Sequence, residues 1–128
     1  MCTMSVPAID PQTALPVAIC ERRQFDRAAL RVLCSHDEGL RLVAEAAEGD
    51  ELLEQLTDLP GLVILIGRST LRQESGLVGR IRADLPHARM VVVAIGGELA
   101  PASAADMGVD GLLPRDGELA DQLAAVYG

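Results

Sequence analysis

At 128 residues the chain is long enough for one domain that buries roughly two-thirds of its unfolded surface, so it needs no disulfide or metal staple. It is 49% hydrophobic, yet no apolar run approaches the roughly 20 residues of a bilayer crossing, and Met1 to Leu15 is neither basic nor continuously apolar; a membrane span and a secretion signal are excluded, and a cytoplasmic protein is expected. A formal charge of -8, with arginine as the only strong base, opposes direct contact with a nucleic-acid backbone.

Residues 1–15 carry Pro7, Pro11, Ser5, Gln12 and Thr13 without periodicity and read as a flexible leader before a domain over 16–128. Pro16 to Cys20 reads as a short buried strand. Phe25, Ala28, Ala29, Val32 and Leu33 then repeat at helical spacing. Leu40 to Ala46 alternates as a half-exposed strand, Gly49-Asp50 turns the chain, and Leu52, Leu53 and Leu56 mark a helix that stops before Pro60. Leu62 to Ile66 is apolar at every position, as a central parallel strand covered on both faces requires. A helix is expected from about Leu71 to Leu85, with Leu77, Val78 and Ile81 inward. Met90 to Ile95 reads as another buried strand, followed by an alanine-rich helix from about Glu98 to Met107. Leu112-Leu113 forms a brief last strand before Pro114, and Leu119, Leu123 and Val126 trace a final amphipathic helix.

Five strand–helix units with crossovers of this length demand parallel strands and right-handed connections. The expected architecture is a single three-layer α/β domain: a doubly wound five-stranded parallel sheet in the order 2-1-3-4-5, helices on both faces. In such sheets the working groups lie beyond the carboxyl ends of the strands.

Leu42-Val43-Ala44-Glu45-Ala46-Ala47-Glu48-Gly49, Ile81-Arg82-Ala83-Asp84-Leu85-Pro86 and Met107-Gly108-Val109-Asp110-Gly111-Leu112-Leu113 stand in the order and spacing of one family. Over Val17 to the C-terminus the chain resembles the receiver domain of response regulators in two-component signalling, specifically the NarL/LuxR-type transcription factors. The resemblance implies the flavodoxin-like, CheY-like form of this fold and a pocket that accepts a phosphoryl group on aspartate with help from Mg²⁺, an ion that needs hard oxygen ligands.

Carried onto this sequence, that pocket is degenerate. The pair of acids after the first strand becomes Glu21-Arg22. The acceptor at the end of the third strand falls on Ile66, Gly67 or Arg68, none of which can take a phosphoryl group. The hydroxyl residue ending the fourth strand is Ala94, the lysine ending the fifth is Arg115, and the aromatic residue on the last strand is Leu112. No catalytic residue, no cofactor and no Mg²⁺ binding are expected. Two readings of the arginines stay open: Arg22 or Arg115 pairs with Glu21 in the space of the lost metal, or Glu21, Arg22, Arg68 and Arg115 line a cleft for a small anionic ligand.

Other chemistry is poorly supported. Cys2, Cys20 and Cys34 have neither disulfide nor zinc spacing and read as inert thiols. His36 and His87 have no ligand motif around them, and Ser69-Thr70 lacks the G-x-S-x-G context of a nucleophile. The function expected is therefore a phosphorylation-independent receiver domain acting by protein–protein contact. The resemblance implies a homodimer through a face drawn from Ala102, Ala105, Leu112, Leu119 and Tyr127, with DNA bound only by an output domain outside this chain. A free-standing adaptor is the alternative.

Overall fold

In the computed structural model of the chain, which describes residues 14–74, 76–94 and 108–114, Leu15–Cys20 forms strand β1 at the heart of the molecule. The elements that follow are α1 (Gln24–Ser35), β2 (Leu40–Ala46), α2 (Gly49–Gln55), β3 (Val63–Gly67), α3 (Arg68–Gln73), α4 (Leu77–Asp84), β4 (Arg89–Ala94) and β5 (Gly111–Pro114). All neighbouring strands pair in parallel, in the order β2-β1-β3-β4-β5. Of the leader expected over 1–15, residues 1–13 lie outside the described residues, while Ala14 is buried and Leu15 already belongs to β1. The helices expected over 98–107 and from Asp116 onward lie outside the described residues, as do Arg115, Ala102, Ala105, Leu119 and Tyr127.

Strand alternation divides the core in two. Ala18, Cys20, Ile64, Ile66, Met90 and Val92 turn to one face, where they pack with Leu52, Leu77 and Ile81 from α2 and α4. Val17, Ile19, Val63, Leu65, Val91 and Val93 turn to the other, where α1 supplies Leu30 and Cys34. Every residue of β3 is buried, because helices cover it on both sides. β2 is an edge strand, and its pairing with β1 slips by one residue at Val43, a bulge of the kind that bends an exposed edge away from further pairing.

Gly49-Asp50, expected as a turn, forms the start of α2, and two further local outcomes differ from expectation. The apolar repeat of α1 faces outward: Phe25 is 91% exposed, Val32 49% and Leu33 42%, while Leu30 and Cys34 anchor the helix. The single helix expected over about Leu71 to Leu85 is two, α3 and α4, interrupted around Glu74. The interruption frees the Glu74 carboxylate to accept the Gly49 N–H at 3.1 and 3.2 Å, at the first turn of α2. Gly49 permits that approach, since a Cβ there would lie 2.8 Å from Glu74 Oε1 and would collide with Leu77.

Candidate functional site

The candidate site is built at the carboxyl ends of β1 and β3. Register runs Val17 against Val63 through Cys20 against Ile66, so the next residues, Glu21 and Gly67, come level where the strands end. Gly67 also pairs with Val93 of β4, which fixes it as the last residue of the central strand. Of the three candidates for the acceptor position, Ile66 is a core residue, Arg68 begins α3, and Gly67 ends the strand.

The Glu21 side chain is 2% exposed. Its Oε2 accepts the Arg23 N–H at 2.7 Å and lies 3.4 Å from the Thr70 hydroxyl. Arg23 is the N-cap of α1, so the carboxylate sits at the positive end of a 12-residue helix, where a negative charge is favoured. The backbone holds the same turn from outside: the Glu21 N–H donates to the Ala46 carbonyl at 3.0 Å, and Arg27 donates to the Glu21 carbonyl at 3.0 Å. Thr70, fully buried in α3, accepts the Arg22 N–H at 2.8 Å. What Arg22 brings to the site is thus its backbone amide; its side chain is exposed.

The carboxylate of Glu21 fills the space above Gly67. A Cβ on Gly67 would fall onto Glu21 Oε1 and would lie 2.5 Å from Cδ and 3.2 Å from Oε2. An aspartate cannot stand at the end of β3 with Glu21 in this position. The residues do not fit a receiver-type Mg²⁺ either, because the acceptor position offers no oxygen side chain and Glu21 Oε2 is turned to an amide and a hydroxyl. Among the described residues no group of three or more His, Cys, Asp or Glu side chains could hold a metal ion.

Other residues noted in the sequence have structural partners. Cys20, beside Glu21, has its thiol pushed up to about 12 by burial, with Glu74 and Glu21 adding to the effect. His87 lies 2.7 Å from Asp58 through Nδ1 and is mostly exposed. Ala94 ends β4 opposite Pro114, and Leu112 pairs with Val92. Asp110 lies before β5, at the edge of the sheet opposite Gly67; its carboxylate accepts the Met90 N–H at 2.8 Å and Arg82 at 3.3 Å. Thr70, which the sequence offers only as an unsupported nucleophile, is the member of the site whose role as a buried tie to Arg22 and Glu21 sequence patterning misses. The one signal for it is a polar residue four positions after a fully apolar strand, where an alanine or leucine would pack with less constraint.

No protein-family model and no curated protein matches the chain. Solved structures do. The isolated receiver domain of RcsB from Salmonella enterica serovar Typhimurium superposes with a TM-score of 0.69 at 21% identity, over 88% of this chain and 87% of that one. A structure of the RcsB–DNA complex gives 0.69 at 21% identity over 89% of this chain, which spans 63% of that regulator's length. CheY6 of R. sphaeroides, in complex with the phosphorylated P1 domain of CheA3, gives 0.65 at 20% identity, over 89% of this chain and 98% of that one. Strand order, element sequence and these superpositions together establish that the chain has the fold of a response-regulator receiver domain.

Proposed function

We propose that this chain is a phosphorylation-independent receiver-type domain, a protein–protein interaction module that controls transcriptional output through a DNA-binding domain outside its 128 residues. The observation that carries the reading is the Glu21 carboxylate standing over Gly67. A receiver that accepts phosphate needs an aspartate, a metal and open volume at that point; here an internal carboxylate, satisfied by Arg23 and Thr70, takes the place of all three. The anion-sensing alternative draws no support from this geometry, since the volume over Gly67 is filled.

Partner proteins and DNA enter by similarity. RcsB is bound to promoter DNA in one of the structures this chain resembles, and CheY6 is in complex with a partner domain in another. The homodimer face we assign to Ala102, Ala105, Leu112, Leu119 and Tyr127 follows from the family resemblance. Sedimentation equilibrium with and without Mg²⁺ plus acetyl phosphate or beryllofluoride tests the reading. The expected result is a mass distribution that ignores both additions, with no phosphoryl incorporation. A Mg²⁺-dependent shift overturns it. Ala105→Arg is expected to disperse the dimer while the fold persists.

A further inference from the structure

Helix α2 is too short to reach the amino ends of the strands it follows. Its seven residues rise about 10 Å, whereas the seven residues of β2 run about 23 Å. The chain between α2 and β3 covers the difference, with Leu56 and Leu59 packed against the core. Where it passes the starts of β1 and β2 it leaves a cavity of about 310 Å³, lined by Leu15, Pro16, Arg41, Leu59, Pro60 and Gly61. That volume falls at the small end of the range, about 300–1,000 Å³, in which proteins hold small molecules.

The walls are stiff. The Leu62 N–H donates to the Leu59 carbonyl at 3.2 Å and closes a β-turn with Pro60 and Gly61 at its centre. Gly61 has φ +76°, so this is a type II turn, which favours proline first and demands glycine second. Pro16 and Pro60 fix their own φ, and the Leu15 N–H is held by the Gly39 carbonyl at 2.9 Å. A ligand would meet a preformed shape and would have little to order on binding.

The polar lining is one group. Arg41, paired in register with Pro16, is the only charged residue around the cavity. Among the described residues no hydrogen bond or ion pair engages its exposed side chain. Arg31, Arg80 and Arg82, by contrast, are matched with Glu45, Asp50 and Asp110. No acidic side chain in the lining competes for the Arg41 guanidinium, and the two prolines bring no N–H. One planar fork suits one carboxylate, and the leucine and proline walls suit an apolar body.

We infer that this cavity binds a small organic monocarboxylate with a compact apolar body. Its carboxylate would take two parallel hydrogen bonds from Arg41, and its body would lie against Leu15, Pro16 and Leu59. Pro16 stands about 16 Å along β1 from Glu21, so the inference holds whether or not the Glu21 pocket is silent.

The test is an amide NMR titration of the isotopically labelled full chain with phenylacetate, phenylacetamide and acetate. Phenylacetate is expected to give saturable shifts at the Leu15, Arg41 and Gly61 amides, half-complete on the order of 1 mM. Phenylacetamide lacks the charge and acetate lacks the apolar body, so each should bind roughly tenfold or more weakly. Arg41→Gln should weaken phenylacetate by roughly tenfold and bring it level with phenylacetamide. Arg72→Gln, at an exposed arginine of α3, should change nothing. Both substitutions lie at exposed positions, and unchanged urea midpoints will certify the fold. Absence of saturable shifts, equal binding of phenylacetate and phenylacetamide, indifference to Arg41→Gln, or shifts centred on Glu21 and Gly67 overturns the inference.

Discussion

Glu21, just beyond β1, and Gly67, the last residue of β3, exclude each other's side chains: the carboxylate of the first occupies the volume in which a Cβ of the second would lie. The relationship makes a double-mutant cycle informative. Gly67→Ala is expected to cost about 1–3 kcal/mol through overpacking, and Glu21→Gly a similar amount by leaving the Arg23 amide without its acceptor. In the double variant the alanine methyl enters vacated space, so the combined loss should fall short of the sum by about 1 kcal/mol or more. Urea denaturation of the four proteins measures it, and strict additivity would remove the exclusion argument.

Thr70 ties the β1–α1 turn to α3, and its hydroxyl has a demand on it from Arg22. Thr70→Val keeps shape and removes the acceptor, leaving the Arg22 N–H unsatisfied in a half-buried site; a loss of about 1–3 kcal/mol is expected. Thr70→Ser keeps the hydroxyl and gives up one methyl, for about 1 kcal/mol. Native-state hydrogen exchange should show the Arg22 amide accelerated in the valine variant and little changed in the serine one.

These two pairs also mark where sequence reading stops. Leu40–Ala46 matches the expected strand end to end, and β3 and β4 lie within a residue of their expected positions, because continuous apolar runs leave few other choices. Crossover lengths dictate parallel strands, and the order 2-1-3-4-5 is the common doubly wound arrangement of such a sheet. Ile66, Gly67 and Arg68 are neighbours in the sequence, and only the register of β3 against β1 and β4 shows that Gly67 is the one that ends the strand. Alpha1 shows the opposite failure. Five apolar residues at helical spacing gave a sound helix but said nothing about which stripe faces inward, and Leu30 with Cys34 form the other one. The break between α3 and α4 has no local signature, and the contact it permits, from the Gly49 amide to the Glu74 carboxylate, spans 25 residues of sequence.

Asp110 stitches the start of β5 to β4 by a reciprocal pair: its carboxylate accepts the Met90 N–H, and its own N–H donates to the Met90 carbonyl at 2.8 Å. Asp110→Ala is expected to cost about 1–3 kcal/mol and to accelerate exchange of the Met90 amide. Arg82 reaches the same carboxylate from α4 in a partly exposed pair, so Arg82→Gln should cost no more than about 1 kcal/mol. If the two substitutions prove equal, the ion pair rather than the amide bond would be the stronger tie.

The thiols of Cys20 and Cys34 make stability depend on alkaline pH. Burial raises them to about 12 and about 11, from 9.0 in an exposed thiol. Between those values the unfolded chain releases protons that the folded chain retains, so the native state binds more protons and stability falls as pH rises. The contribution is whole below about pH 9 and is lost progressively through pH 11–12. Each thiol adds a slope of at most about 1.4 kcal/mol per pH unit within its own window. The urea midpoint should therefore drop between pH 8.5 and pH 10.5 in the native sequence, and drop less in Cys20→Ala/Cys34→Ala, with both measured against their own pH 8.5 values. A thiol-reactive dye at pH 8 should label Cys20 and Cys34 only as the protein unfolds. Rapid labelling of either in the folded protein would show that its surroundings are more open than the packing against Ala46 and Leu30 describes.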